Sequence, residues 1–123
     1  MIEILERTIP DFEPVVNFES WKVAYLSYSE RFSKFEVIER HLLTDEVFVL
    51  LEGKATLFVA KDGHRVQEIE MERQKVYNVK KAVWHHIVVS KDANVLVVEN
   101  SNTCAENSEI LPFSEYQKRI KNM

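Results

Sequence analysis

Glycine is scarce in this chain, with two residues among 123, and there are three prolines and one cysteine. A single cysteine excludes an intrachain disulfide. Cys104 sits in "SNTCAENS", a small polar stretch with no base nearby in sequence, so it reads as a loop or strand-end thiol rather than a nucleophile. No window approaches the roughly twenty apolar residues of a membrane span. The opening "MIEILERTIPDF" is acidic and lacks the basic start and apolar run of a signal peptide, so a cytoplasmic protein is expected. Basic residues never run beyond a pair such as Lys80-Lys81, and the formal net charge is −4. A chain without a clustered basic face is poorly suited to neutralise phosphates, which argues against nucleic acid as a partner. Internal repeats and low-complexity stretches are also absent.

What is present suits one compact domain: 46% of residues are hydrophobic, enough for a core without staples. The segments "WKVAYLSYS", "SKFEVIERH", "EVFVLLEGKATLFVA", "HRVQEIEM", "KVYNVKKAVWHHIVVS" and "ANVLVVEN" are rich in β-branched and aromatic residues, with turn signals between most of them. Gly53 in "EGK" and Gly63 in "KDGH" fall where hairpin turns want positive φ. Short, evenly spaced strands describe a β-sandwich or barrel. Pro10 and Pro14 punctuate an irregular arm over 1–20, the barrel is expected over 21–100, and a tail with a short helix over 101–123. In "PFSEYQKRIKNM" Ser114 and Gln117 have capping-box spacing, and Phe113, Tyr116 and Ile120 make an apolar stripe that would pack on the barrel or a second subunit.

Strand parity sorts the ionisable groups. In "FEVIERH", Phe35, Val37, Glu39 and His41 share one face, and Glu36, Ile38 and Arg40 the other. Glu39 and His41 therefore follow two apolar residues inward. Glu46 opens an unbroken apolar run. In "WHHIVVS" both faces are apolar further on, so parity does not decide between His85 and His86 as the interior imidazole. Two interior carboxylates would repel each other and take up protons unless a cation neutralised them.

These residues resemble the cupin superfamily. Its first motif is glycine, five residues, H-x-H, three or four residues, Glu, six residues, Gly. Here His41 stands as the second histidine, four residues precede Glu46, and six separate Glu46 from Gly53. The second motif, glycine, five residues, P-x-G, two residues, His, three residues, Asn, aligns with "QKVYNVKKAVWHHIVV" and selects His85. The departures are Ser33 and Glu39 for the first glycine and first histidine, then Gln74, Lys80, Ala82 and Val89 for glycine, proline, glycine and asparagine. The start of the sequence also faintly resembles ureidoglycolate-hydrolase-like cupins.

The resemblance implies an all-β jelly-roll barrel, a double-stranded β-helix, with Glu39, His41, Glu46 and His85 as ligands of a divalent metal ion and no organic cofactor. Two imidazoles and two carboxylates leave a divalent centre neutral, a weaker Lewis acid than the usual three-histidine set. Its oxygen-rich ligands favour manganese or iron, with zinc and nickel as alternatives. The implied function is lyase, isomerase or oxygenase chemistry on a small polar metabolite. The alternative is a metal-free, non-catalytic cup that binds a sugar or carboxylate. A third reading keeps the acidic residues on the outer surface. Trp21, Tyr25, Tyr77 and Trp84 are candidate stacking residues for a ligand, each with ordinary packing as its competing role. His64 is expected in an exposed turn, His86 facing away from the pocket, and Glu99 and Asn100 at the rim. Cupins of one domain often pair, so a homodimer is expected.

Overall fold

A computed structural model describes residues 1–122. Ten strands and one helix follow in chain order: β1 (Phe12–Phe18), β2 (Trp21–Ser27), β3 (Val37–His41), β4 (Glu46–Glu52), β5 (Ala55–Ala60), β6 (Gln67–Glu70), β7 (Val76–Val79), β8 (Trp84–Val89), β9 (Asn94–Asn100), β10 (Ser108–Pro112) and α1 (Phe113–Lys121). They form two antiparallel five-stranded sheets, β1-β2-β9-β4-β7 and β10-β3-β8-β5-β6. This is the expected jelly-roll arrangement: apart from the hairpins β1-β2 and β5-β6, consecutive strands cross from one sheet to the other. Among the described residues no helix is long and apolar enough to cross a membrane.

Alternation builds the core. In β4, Glu46, Phe48 and Leu50 are buried, and in β9 so are Val95, Val97 and Glu99, with less buried residues between them. Leu26, Leu57, Ile87 and Val89 join them from neighbouring strands. Each such side chain stabilises the fold by about 1.5–3 kcal/mol when fully buried. A second, smaller cluster lies on the outer face of the β10-containing sheet, where Ile38, Ala60, Trp84 and Tyr116 pack together. Helix α1 supplies Tyr116, and its stripe of Phe113, Tyr116 and Ile120 closes this face. The helix starts two residues earlier than the capping-box spacing suggests: Pro112 is the N-cap, and no side chain caps it.

The sheets reach beyond 21–100 at both ends. The segment expected to be an irregular arm carries β1, paired with β2, and its register shifts between Pro14 and Val16. An edge strand accommodates proline because half of its N–H groups have no ladder partner. At the other end β10 pairs with β3, opposing Ser108 to His41 and Ile110 to Glu39.

Gly53 and Gly63 both have positive φ, at 75° and 81°. At Gly53 a Cβ would also lie 2.6 Å from the Ala93 Cα, so only glycine fits. Two of the positions where the second cupin motif has glycine keep that conformation without it: Gln74 has φ 68° and Ala82 φ 67°. The bends are retained although the residue that makes them easy is gone. Ala82 closes its bend by donating its N–H to the His41 carbonyl at 2.7 Å.

Candidate functional site

Between the sheets lies a cavity of about 510 Å³ with apolar walls that include Phe12, Leu26, Phe32, Phe48 and Ile87. That size suits a small organic molecule. Six of its polar groups come from five strands, Lys22 from β2, Glu39 and His41 from β3, Glu46 from β4, His85 from β8 and Glu99 from β9, and Arg31, Ser108 and Glu109 also line it. Strand pairing sets their positions. Glu39 lies opposite His85 across β3 and β8, and Lys22 lies opposite Glu99 across β2 and β9. The Asp45 carboxylate fixes the approach of β4 to β8, accepting hydrogen bonds from the Lys81 N–H at 2.8 Å and the Asn78 side-chain amide at 3.1 Å.

Glu46 is the hub. Its Oε1 is 3.0 Å from His41 Nε2 and 2.9 Å from His85 Nε2. The other ring nitrogens are held from behind: His41 Nδ1 is 2.7 Å from Ser108 Oγ, and His85 Nδ1 is 3.1 Å from the Val83 carbonyl. A carbonyl only accepts, so Nδ1 of His85 carries a proton. In a neutral His85 ring, Nε2 then presents a lone pair to the Glu46 carboxylate, and two acceptors at 2.9 Å require a proton or a cation between them. Glu39 Oε1 lies 4.0 Å from His41 Nε2, with its side chain 41% exposed toward the cavity.

The proton affinities respond accordingly. Burial pushes Glu46 up, but hydrogen bonds from His41 and His85 outweigh it and hold the carboxyl at about 2. Burial pushes both histidines down, and the bond to Glu46 reverses this and raises them. Glu99 goes the other way: burial and the charge of Glu46 raise it to about 7, against the opposing pull of His41 and Lys22. Its Oε2 is buried without a hydrogen-bond partner among the described residues. With neutral imidazoles, four ionised carboxylates (Glu39, Glu46, Glu99, Glu109) against two cations (Lys22, Arg31) leave two negative charges in a largely apolar cavity. Without a cation, the site takes up protons instead.

A divalent ion fits these donors. Two overlapping triads, Glu39–His41–His85 and His41–Glu46–Glu99, each place their ligand atoms within 4.8 Å of one another. Neighbouring ligand atoms about 3 Å apart are what metal–ligand bonds of about 2.1 Å produce. The reading that put the acidic residues outside does not hold for Glu46 and Glu99, which are 5% and 7% exposed.

Other sequence-predicted residues lie elsewhere. Trp21, Tyr25, Tyr77 and Trp84 are all absent from the cavity lining. Trp21 is exposed beside Phe18, with ring centroids 6.0 Å apart. Tyr77 accepts a hydrogen bond from the Glu72 N–H and packs on the main core. Tyr25 is half-buried on the face of β2 opposite Ala24 and Leu26. Trp84 is fully buried in the outer cluster, its Nε1 donating to Asp62 at 2.9 Å. The aromatic walls are phenylalanines instead. His86 points to the outer face, stacking on Phe35 with centroids 5.8 Å apart, and reaches the cavity only at its margin. Glu99 is an interior group rather than a rim residue. Its alternation with Val95 and Val97 was the available signal, and Lys22 showed the same signal with Ala24 and Leu26.

No protein-family model and no curated protein sequence matches the chain. Solved structures do resemble it. The TDP-quinovose 3,4-ketoisomerase of Campylobacter jejuni is 19% identical, with 78% of this chain and 73% of that chain covered at a TM-score of 0.60. A 3,4-ketoisomerase of Helicobacter canadensis is 16% identical, covering 80% and 74% at 0.61. A protein containing a cupin-2 domain from Shewanella frigidimarina is 20% identical, covering 77% and 84% at 0.56. At these identities the likeness is one of fold.

Proposed function

We propose that this chain, a cupin by its fold, binds one divalent metal ion through Glu39, His41, Glu46 and His85 and isomerises a small hydroxylated carbonyl compound. The observation that carries the reading is the Glu46 carboxylate oxygen lying 2.9 and 3.0 Å from two imidazole Nε2 atoms, each ring held from behind. That is a donor set in need of a cation. The mixture of imidazole and carboxylate favours manganese or iron over zinc or nickel. A bound ion would polarise a ligand carbonyl.

Isomerisation of a hydroxycarbonyl moves a proton between neighbouring carbons and needs no external electron acceptor. The two fold neighbours named as ketoisomerases support this class over lyase or oxygenase chemistry. Within the cavity, Phe32, Phe48 and Ile87 would exclude water around the ligand.

Elemental analysis of protein purified without a metal column tests the metal assignment. Glu39→Gln and His85→Ala should each lower the metal content, and unchanged occupancy in both ends the assignment. For the reaction, the metal-loaded protein should catalyse deuterium uptake from solvent at the carbon next to the carbonyl of a hydroxyketone, followed by NMR. One observation favours a second reading, a metal-free binding cup: Glu46 and the two histidines already satisfy one another once protons are taken up. In that case sugars or small acids raise the melting temperature equally with and without chelator. The same proposal includes a cytoplasmic homodimer. Ile2, Ile4, Leu5 and Ile9 are exposed ahead of β1, apolar surface that a second copy would cover, and light scattering decides the point.

A further inference from the structure

The inner rows of β2 and β9 run side by side for three matched pairs. Leu26 faces Val95, Ala24 faces Val97, and Lys22 faces Glu99. The first two pairs are apolar, with every member at most 3% exposed, and of these four only Leu26 borders the cavity. The third is a charged pair buried almost as deeply, with side chains 12% and 5% exposed, and both residues line the cavity. Stability does not account for it. A buried ion pair is often no better than, and can be worse than, an apolar pair of the same volume.

The pair is also incomplete. Lys22 Nζ stands 3.6 Å from Glu99 Oε1, beyond the 2.7–2.9 Å of a charge-assisted hydrogen bond. Glu99 Oε2 is buried with no hydrogen-bond partner among the described residues, which is costly in isolation. A strong donor and an unmet acceptor therefore sit side by side, 3.9 Å from His41 Nε2 at the nearest carboxylate oxygen.

We infer that Lys22 and Glu99 form a subsite that reads a hydroxyl group of the ligand. A hydroxyl can donate to Glu99 Oε2 and accept from Lys22 Nζ with one oxygen atom, satisfying both. A carboxylate or phosphate at this point meets the Glu99 charge, and an ammonium meets Lys22, so the subsite selects against both. The ligand class is a neutral hydroxylated carbonyl compound, with the hydroxyl next to the group that faces His41 and Glu46. This inference rests on the proposed function for the carbonyl end of the ligand and stands apart from it for the hydroxyl end.

The probes are hydroxyacetone and acetone, which share a carbonyl and differ by one hydroxyl, and binding to the metal-loaded protein is measured by ligand-observed NMR titration. Wild type should prefer hydroxyacetone by about tenfold, the worth of one hydrogen bond to a charged group. Glu99→Gln and Lys22→Met should each reduce the preference to less than about threefold while metal content and acetone binding stay unchanged. Should either single variant fail to fold, the double variant Lys22→Met/Glu99→Leu replaces the pair by an apolar one. It should fold and show no preference between the ketones. Equal binding of the two ketones by wild type, no binding of either, or a preference kept in the variants overturns the inference. Loss of metal in Glu99→Gln also overturns it, by making Glu99 a ligand of the ion. A metal-free wild type that still prefers hydroxyacetone through these residues leaves the subsite standing and removes the metal assignment alone.

Discussion

His85 and His86 are neighbours on β8, yet they belong to two different environments on the two faces of one sheet. His85 turns inward to a carboxylate, and its proton affinity is raised because the Glu46 bond overcomes burial. His86 turns outward between Phe32 and Phe35, with only the Lys34 carbonyl at 3.2 Å, and burial lowers its proton affinity. The inner face spends buried polarity on a site, whereas the outer face, closed by α1 over Trp84 and Ile38, is packing, with Trp84 Nε1 tied to Asp62 and the Tyr116 hydroxyl to the Lys61 and His64 carbonyls. Burial alone therefore says little about role. What separates the two histidines is that Nε2 of His85 meets a carboxylate and Nε2 of His86 a carbonyl.

The comparison breaks most visibly under truncation. Glu46→Ala leaves two buried imidazoles without their acceptor and should cost about 3–5 kcal/mol in urea unfolding. Trp84→Ala on the outer face should cost a similar 3–5 kcal/mol through the cavity it opens. Only the first should change metal content; a loss of metal in Trp84→Ala would show that the faces are not independent.

The pH dependence comes next in size. In the metal-free protein Glu99 is raised from 4.5 to about 7, so its stabilising contribution is complete below 4.5 and is lost as pH rises through 7. The raised histidines act in the same direction, their share present below 6.5 and lost above it. Glu46, lowered from 4.5 to about 2, contributes above 4.5 and loses that contribution as pH falls toward 2. Chelator-treated protein should thus be most stable near pH 5 and lose on the order of 3 kcal/mol by pH 8, the worth of two pKa units or so. Manganese should flatten that slope, since a cation keeps the carboxylates ionised. A slope identical with and without metal would place the ion elsewhere.

The paired histidines give a narrower test. His85→Ala should abolish most metal binding, whereas His86→Ala should leave it intact and cost about 1–3 kcal/mol of stability. The smallest effect concerns the bend that brings β8 into place. Ala82→Gly should stabilise the protein by about 0.5–1 kcal/mol, because alanine at φ 67° carries strain that glycine lacks. Gln74→Gly should behave likewise, with metal content unchanged in both.

Much of the barrel was legible from residues. Gly63 marked the hairpin between β5 and β6, Gly53 marked a tight turn that crosses from one sheet to the other, and the Phe113, Tyr116, Ile120 stripe marked the face of α1 that packs. The edge strands were not. Pro14 disguised β1, and β10 is a five-residue segment whose partner β3 lies far away in sequence, so nothing local announces the pairing. Within the site, Glu39, His41 and Glu46 were legible as inward-facing residues and His85 only through the cupin resemblance, and all four line one cavity. Lys22 and Glu99 obeyed the same alternation, but neither stands at a ligand position of the two cupin motifs, so nothing beyond parity singled them out.

Taken alone, the sequence determined the strand pattern, the turn positions and the inward face of each strand that is buried on one side, since alternation with period two leaves one choice. It could not choose on β8, which is apolar on both faces. That choice was made by tertiary structure: α1 covers one face and seals Trp84 under it, so the other face, with His85, is left to look across the cavity at Glu46.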